Sequence, residues 1–414
     1  MPRAPVHDWY STVMGFSPGQ IRPLLGSLGV GTSASFLDPF CGAGTALVEA
    51  QRLGAEAYGM DANPVAVLAS RAKTHPRYRS ANLMARLHEV VDEAGVTSRH
   101  REVSDPRLGA FTELGLLRRG WLGSGSARSL VRVARAIERV CARGSTRDFF
   151  TLALMRAAVR ECAHVRFGPE IYVSRREHVP GARRSFAGCA LDMIASLPAS
   201  PAQVRPTRVV KGDARDLCDL RRALGGRKGR AQVECVLTSP PYPNEHDYTR
   251  LTRIELILGG FVRCASDIRR LKEGMLRSNT KNVYAHDSDY ALVRDIDYVR
   301  RRVSEIERRV AGRTDGFARL YPRVVGEYFG GMARVLTHIE RLLAPGGTCA
   351  IIVGDQATYC GVRVDCVTGL TAVAATCTPR LRVAGELMVR KRTNRNGLEI
   401  SERALVLRSR STQV

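Results

Sequence analysis

The stretch from Ser35 to Asp61 restricts the possible folds of this 414-residue chain more than any other segment. Residues 35–38 are typical of a short buried strand, and a turn with two glycines follows them. Ala46 to Leu53 has the composition of a helix that ends at Gly54, and residues 56–61 form a second strand that ends in a carboxylate. A strand, a helix and a strand at this spacing form a crossover onto a parallel sheet. The sequence therefore predicts an α/β fold with a mainly parallel sheet.

The alternation of strands and helices stops between residues 75 and 206. This segment is rich in arginine, and its apolar residues recur at helical spacing. Ser145-Thr-Arg-Asp148 resembles a capping box that opens a helix. The segment is far longer than an ordinary loop. We therefore predict one catalytic domain from residues 1–74 and 207–414, interrupted by a mainly helical insertion over residues 75–206.

The alternation resumes after the insertion. Three apolar runs are predicted strands, an amphipathic segment is a predicted helix, and two late segments are predicted to close the sheet as an antiparallel hairpin. They are the strands 207–211, 233–237 and 348–353, the helix 324–343, and the hairpin segments 381–389 and 403–407. A further helical segment, residues 294–313, carries a narrow apolar stripe, which indicates a packing or dimer seam.

The charge of the chain favours nucleic acid as a partner. It has 64 Lys and Arg against 40 Asp and Glu, a formal net charge of +24. Cations placed against phosphates release condensed counterions, so such an excess implies a polyanionic ligand. The 11 cysteines lack a regular spacing, so we expect reduced thiols in a cytoplasmic protein. With neither a signal peptide nor an apolar run of membrane-spanning length, we expect a soluble protein without a membrane partner.

The turn Phe40-Cys-Gly-Ala-Gly44 is the first candidate site. Two glycines let the backbone approach a ligand above the strand ends, where open α/β sheets bind their ligands. Asp61, at the end of the second strand, is placed to accept hydrogen bonds from ribose hydroxyls. A dinucleotide fingerprint requires a third glycine at position 47, where this chain has Leu47. The turn therefore favours a cofactor that has a ribose and lacks a pyrophosphate.

The segment Thr238-Ser-Pro-Pro-Tyr242 is the second candidate site. Two consecutive prolines after a buried strand end its pairing and fix the path of the chain. They direct a backbone carbonyl, the Ser239 hydroxyl and the Tyr242 ring toward the cleft above the sheet. A base amine needs such acceptors, because its lone pair is conjugated into the ring and its hydrogens must be held while the nitrogen becomes more tetrahedral. An aromatic face can stack on a base that has left the duplex.

Together these motifs resemble those of amino-group DNA methyltransferases, which use S-adenosylmethionine. Asp38-Pro-Phe-Cys-Gly-Ala-Gly-Thr45 is similar to their cofactor motif, and Thr238 to Tyr242 is similar to their catalytic motif. Family members with Ser-Pro-Pro-Tyr are most often cytosine-N4 enzymes, whereas Asp-Pro-Pro-Tyr and Asn-Pro-Pro-Tyr usually mark adenine-N6 enzymes. The resemblance implies a Rossmann-like class I methyltransferase fold and a DNA (cytosine-N4-specific) methyltransferase. It extends to Gly15-Phe-Ser-Pro18, Gly212-Asp-Ala214, Leu343–Gly347 and Ser401–Leu407.

The matching positions imply residue roles. By resemblance, Asp61 holds the cofactor ribose, Asp213 lies near its adenine, and the methyl group passes directly to a flipped base with neither a covalent intermediate nor a metal. The implied catalytic residues are Ser239, Pro240, Pro241 and Tyr242. The implied cofactor-binding residues are Phe16, Ser17, Asp38, Pro39, Phe40, Cys41, Gly42, Gly44, Thr45, Asp61, Ala62, Asn63, Asp213, Ala214 and Thr238.

The sequence defines less clearly which residues recognise the target DNA. The cofactor motif precedes the catalytic motif, the reverse of many Ser-Pro-Pro-Tyr enzymes, so the insertion is the leading candidate for contacts to double-stranded DNA. A second candidate is residues 243–321, with His246, Tyr248, Arg250, Arg253, Arg277, Lys281 and Asn282. The recognised site, a cognate restriction endonuclease as partner, and the choice between monomer and dimer stay open.

Several other functions compete with this interpretation. An adenine-N6 enzyme or an RNA base methyltransferase uses the same fold, and a non-catalytic nucleic-acid-binding protein could retain it. A Rossmann oxidoreductase is disfavoured by Leu47 and by the charge. Cytosine-C5 methylation is disfavoured because no cysteine lies in a nucleophile setting; Cys235 is in mid-strand. The nine histidines form no metal-spaced pair, so we expect no metal site.

Overall fold

A computed structural model describes residues 5–11, 15–96, 104–167, 171–174, 176, 178–197, 205, 207–225, 232–314, 316–356, 359–393 and 399–411. Within these ranges the strands are β1 (Ser35–Asp38), β2 (Glu56–Asp61), β3 (Val165–Phe167), β4 (Ile171–Val173), β5 (Arg208–Lys211), β6 (Val233–Thr238), β7 (Leu343–Gly354), β8 (Leu381–Thr393) and β9 (Glu399–Ser409).

Seven of these strands form one sheet in the order β5-β2-β1-β6-β7-β9-β8. The first five in this order run parallel to one another, and β9 lies antiparallel between β7 and β8. The predicted α/β architecture is confirmed: the sheet is mainly parallel and is closed by an antiparallel hairpin. β3 and β4 pair separately as a small hairpin.

The helices cover both faces of the sheet and build the insertion. They are α1 (Pro18–Ser27), α2 (Thr45–Arg52), α3 (Pro64–Thr74), α4 (Ser80–Val96), α5 (Pro106–Glu113), α6 (Ser124–Val140), α7 (Ser145–Ala157), α8 (Ala182–Ala195), α9 (Leu217–Ala223), α10 (Tyr248–Leu251), α11 (Arg253–Leu258), α12 (Ala265–Glu273), α13 (Asp297–Val310), α14 (Tyr321–Leu342) and α15 (Cys366–Cys377). A π-helical turn, Ala158–Cys162, continues α7.

The sheet is the middle layer of three. Successive side chains of a strand point to opposite faces, so Phe36 packs in a cluster with Leu25 of α1 and Leu47 of α2. Its neighbour Leu37 belongs to the cluster on the other face, with Phe329 of α14 and residues of α15. Both clusters are formed by side chains that are almost fully buried. The carboxyl ends of β1, β2 and β6 are therefore held at one edge by packing on both sides.

The insertion adds a third apolar cluster. Helices α4 to α8 and the β3-β4 hairpin lie within residues 75–206. Their core residues, such as Phe149 and Leu152, share one cluster with Leu68 of α3 and Ile257 of α11. The insertion thus packs against the catalytic unit over a continuous apolar core. The division of the chain into two domains stays a prediction.

Two local expectations are decided by the packing. The apolar stripe on residues 294–313 is a packing seam, since Val299 and Ile306 are buried in the cluster that α14 also joins. The capping box at Ser145 is wrong: Gly144 is the N-cap of α7, and Asp148 pairs with the Arg71 guanidinium at 2.9 Å. The helix itself forms where predicted, because its apolar face is needed in the core.

The cysteines and helices give two further findings. All 11 cysteines are free. Among the described residues, no helix is both long enough and apolar enough to span a bilayer.

Candidate active site

A cavity of about 720 Å³ lies over the carboxyl ends of the central strands. Asp38, Asp61 and Thr238 are the last residues of β1, β2 and β6, which are neighbours in the sheet, and all three line the cavity. Open α/β sheets bind ligands at this edge. The turns that follow β1 and β6 are the two motifs singled out in the sequence, and both border this one cavity.

The two glycines of the first turn have different surroundings. Gly42 has a φ of +50°, donates its N–H to Asp61 Oδ2 at 2.9 Å, and has nothing within 4 Å of the place where a Cβ would stand. Gly44 has a φ of +81°, and a Cβ there would lie 2.8 Å from Ser70 Oγ of α3. Gly42 therefore leaves room on the cavity side, whereas Gly44 permits the close packing of α2 on α3.

Asp61 connects the two sides of this turn. Its second carboxylate oxygen accepts the Asn63 N–H at 2.8 Å, and the Asn63 side chain in turn caps α3 through Val65. The Asn63 amide also donates to Thr252 Oγ1 at 3.0 Å. Burial raises the pKa of Asp61 to about 6, against the opposing hydrogen bonds from Asn63 and Gly42. Two backbone hydrogen bonds thus fix the carboxylate in the cavity wall, and no cation contributes to the shift of its pKa.

Asp38 joins the cofactor turn to the catalytic turn. Its Oδ1 accepts the Thr238 hydroxyl at 2.7 Å and the Phe40 N–H at 3.1 Å. Burial raises the pKa of Asp38 to about 7, and the charge of Asp61 adds to the rise while these two hydrogen bonds oppose it. The bond between Asp38 and Thr238 holds the ends of β1 and β6 in a fixed relation.

The catalytic turn presents a small polar group and a largely buried ring. The Ser239 and Tyr242 hydroxyl oxygens lie 3.3 Å apart. Tyr242 is 6% exposed and packs near Gly354 of β7, so only a small part of its ring faces the cavity. Tyr242 therefore orients Ser239 and offers a narrow surface for stacking.

Most of the predicted cofactor-binding residues line the cavity. They are Phe16, Asp38, Pro39, Phe40, Cys41, Gly42, Thr45, Asp61, Ala62, Asn63, Asp213, Ala214 and Thr238. Ser17 and Gly44 do not line it; Ser17 is the N-cap of α1 and pairs with Gln20. The carboxylate of Asp213 is held by Arg215, with Oδ2 to Nη2 at 2.7 Å. The four catalytic candidates Ser239, Pro240, Pro241 and Tyr242 also line the cavity.

The residues proposed from the sequence to contact DNA fall into two groups. Tyr248 and Asn282 line the cavity, whereas His246, Arg250, Arg253 and Lys281 do not. The Asn282 amide is occupied by the backbone of Ser278, Asn279 and Leu276, and it therefore shapes the loop. Arg277 is also occupied, in a buried ion pair with Asp287 at 2.7 Å.

Sequence reasoning missed several residues of the cavity wall. Tyr10 donates its hydroxyl to Glu255 of α11 at 2.9 Å. Arg390 of β8 lies 5.4 Å from the centre of the Phe16 ring and pairs with the buried Glu402 of β9 at 2.7 Å. All five line the cavity. Phe16 was predicted from its motif; the other four were not, because Tyr10 meets Glu255 only in the folded chain and Arg390 faces Glu402 across the β8–β9 hairpin.

No model of a known protein family matches the chain. Over 142 residues, 32% of the chain, it is 31% identical to the type II methyltransferases M.AvaI of Nostoc sp. and of Anabaena variabilis. Over 328 residues, 74% of the chain, it is 22% identical to the type II methyltransferase M.BsoBI of Geobacillus stearothermophilus. These matches span 28% of the M.AvaI proteins and 62% of M.BsoBI, less than two thirds of each relative.

A solved structure gives a further comparison. The rRNA methyltransferase aviRa of Streptomyces viridochromogenes aligns with 97% of this chain and 88% of its own, at 10% identity and a TM-score of 0.32.

Proposed function

We propose that this protein is an S-adenosylmethionine-dependent DNA methyltransferase that modifies an exocyclic amino nitrogen, with cytosine N4 as the expected target. One observation carries the proposal: Gly42, Asp61, Ser239 and Tyr242 all line the same cavity, although they come from turns far apart in the sequence. The similarity to proteins described as type II methyltransferases supports DNA as the substrate.

The cavity has the size and the groups for this cofactor. Its volume of about 720 Å³ lies within the usual range for small-molecule sites, roughly 300–1,000 Å³. Asp61 would hold the ribose, Ala62 and Ala214 would border the adenine, and Phe16 would lie at the methionine end. The open space beside Gly42 is what a closely bound ligand requires.

The electrostatics of the cavity beside the cofactor turn favour a cation. Burial raises the pKa of both Asp38 and Asp61, because each loses water without gaining a cationic partner as a main influence. The cofactor carries a sulfonium and an ammonium group, which would favour the ionised form of both carboxyls. Cofactor binding should therefore be tightest where both are already ionised, above about pH 7.

The catalytic turn is suited to hold an amine. When bound, S-adenosylmethionine supplies an electrophilic methyl group. Ser239 Oγ and the Pro240 carbonyl would accept hydrogen bonds from the base amine, and Tyr242 fixes Ser239 from 3.3 Å. The amine nitrogen would take this methyl group from the cofactor, which remains as a thioether, and would lose a proton to solvent. The protein contributes positioning and preorganised acceptors, without a covalent bond to the base.

Cytosine N4 is preferred as the target because position 239 is serine. In the family that the motif resembles, serine there is most often found with cytosine-N4 enzymes, and aspartate or asparagine with adenine-N6 enzymes. The net charge of +24 is consistent with a duplex substrate that must also release a base into the cavity.

A methyl-transfer assay tests this function. Purified protein is incubated with labelled cofactor and either duplex DNA or RNA, beside a Ser239→Ala variant. We expect label in the DNA with the wild type and a loss of about tenfold or more in kcat for the variant, since one preorganised acceptor is removed. Label in RNA alone would reject DNA as the substrate. Unchanged turnover by the variant would reject the assignment of Ser239.

A further inference from the structure

One carboxylate beside the active-site cavity pairs with a lysine from a group of five basic side chains that influence one another electrostatically. They are Arg119, which follows α5 in the insertion, and Arg250, Arg253, Lys272 and Lys281, which come from α10, α11, α12 and the loop after it. The carboxylate is Asp247, whose Oδ2 accepts the Lys272 ammonium at 2.7 Å. We call these five residues the cationic cluster.

Asp247 is already fully engaged. Its Oδ1 accepts the Thr249 hydroxyl at 2.7 Å and the N–H groups of Thr249 and Arg250 at 3.1 Å each, and so caps α10. Arg253 donates hydrogen bonds to two neutral acceptors, the Thr249 carbonyl at 3.2 Å and the Thr249 hydroxyl at 3.3 Å. Arg253 is therefore held in place without a direct carboxylate partner in these bonds.

The positively charged side chains of the cationic cluster repel one another. Burial lowers the pKa of Arg253, Asp247 opposes this, and the charges of Arg119 and Arg250 lower it further. Burial lowers the pKa of Lys272 in the same way, Asp247 opposes it, and Arg253 and Lys281 add to the lowering. Lys272 is only 8% exposed, so water screens it poorly. Arg253 and Lys272 thus share Asp247 as a neighbouring carboxylate, and an anion bound beside them would reduce the repulsion between the two cations.

The position of the cationic cluster indicates which kind of anion it would bind. Lys272 and Asp247 line the cavity, next to Tyr248. Arg119 and Lys281 are exposed at the surface. The cluster thus leads from the outer surface to the wall of the chamber where a base would enter, and it joins the insertion to the catalytic unit.

We propose that the cationic cluster binds the backbone phosphate beside the nucleotide that enters the cavity. This inference rests on the proposed function, because it takes nucleic acid as the substrate. A phosphate held at this point would keep the sugar–phosphate chain at the cavity while the base leaves its stack, a step that otherwise costs unstacking energy. Lys272 would provide a buried contact, Arg253 a partly buried one, and Arg119 would contribute one from the insertion.

The test compares salt dependence of DNA binding among single glutamine variants. Wild type, Arg253→Gln and Arg119→Gln are titrated with a labelled duplex at several salt concentrations, beside Arg309→Gln, an exposed arginine on α13 that carries the same charge change. We expect both cluster variants to weaken binding by about tenfold and to reduce the slope of log K against log salt by about 1. The Arg309 variant should match the wild type. A cofactor dissociation constant equal to that of the wild type shows that each variant is folded.

A second measurement locates the phosphate. A methylphosphonate, which removes one backbone charge, is placed beside the methylated nucleotide of a duplex substrate. The methylphosphonate should weaken DNA binding by the wild type by about tenfold. It should have little further effect on binding by Arg253→Gln, because that variant has already lost the contact to the same phosphate. The inference would be overturned if the methylphosphonate weakened DNA binding equally in the wild type and in Arg253→Gln. Equal salt slopes for Arg253→Gln and Arg309→Gln would also overturn it. Turnover by the wild type on the same duplex reports on the proposed function separately.

Discussion

Replacing Asp61 with asparagine tests how the cofactor turn is built. The two carboxylate oxygens of Asp61 each accept one backbone N–H, from Gly42 at 2.9 Å and from Asn63 at 2.8 Å. An amide has one oxygen, so one of these N–H groups would face an NH₂ group instead. The variant therefore disturbs either the glycine turn or the start of α3, and it also loses the charge proposed to hold the ribose.

The size of the effect follows from these bonds. A hydrogen bond to a charged group contributes about 1.5–3 kcal/mol, and about 1.4 kcal/mol is tenfold in a dissociation constant. We expect Asp61→Asn to bind S-adenosylmethionine about 10-fold to 100-fold more weakly. The Tm of the variant should fall by less than the loss of a hydrogen bond alone would predict. An uncharged amide costs less to bury than the carboxylate of Asp61, whose pKa is raised by burial to about 6.

Isothermal titration calorimetry with the cofactor measures this difference. The matched control is Asp216→Asn, the same chemical change at an exposed cap of α9 that does not line the cavity. Its cofactor affinity should equal that of the wild type. An Asp61→Asn affinity within about twofold of the wild type would refute the reasoning.

Three further outcomes are expected. Cofactor affinity should fall about tenfold between pH 8 and pH 6 in calorimetry, because the free protein protonates Asp38, whose pKa is raised by burial to about 7, and the cationic ligand needs it ionised; a flat profile would contradict this. Tyr242→Phe should lower kcat with little change in Tm or cofactor affinity, since it removes only the hydroxyl 3.3 Å from Ser239; equal kcat would reject the orienting role. Gly44→Ala should lower Tm more than Gly42→Ala, because both glycines have a left-handed φ but only the Gly44 Cβ would lie 2.8 Å from an oxygen of α3, whereas Gly42→Ala should also weaken cofactor binding by entering open space; thermal melts and titration of both variants separate the two effects.

The fold could be predicted because its signals are local. Apolar runs and glycines mark the strand, turn, helix and strand from residue 35 to residue 61. The alternation of apolar and polar residues marks the closing hairpin. The failed capping box at Ser145 shows the limit of such signals. Gly144 caps the helix and Asp148 turns to Arg71, a contact that depends on how α3 and α7 pack.

The site was predicted only where a motif marks it. The turns at Gly42 and Ser239 were found because backbone constraints leave a trace in glycine and proline. The Tyr10–Glu255 pair leaves no such trace, since it joins residues 245 positions apart in the chain, and the Arg390–Glu402 pair is set by the register of the β8–β9 hairpin. The same holds for the cationic cluster, because the charge of Arg119 acts on Arg253 only once the insertion has packed on the catalytic unit.

Nucleoside mass spectrometry tests the central claim most directly. Mixed-sequence duplex DNA is incubated with the wild-type protein and S-adenosylmethionine, digested, and compared with a Ser239→Ala reaction. We expect N4-methylcytosine with the wild type and, in the same reaction time, about tenfold less or lower with the variant. N6-methyladenine would keep the mechanism and correct the base. No methylated base from a protein that binds the cofactor, or a methyl group on carbon, would contradict the claim that this cavity transfers a methyl group to an exocyclic nitrogen of DNA.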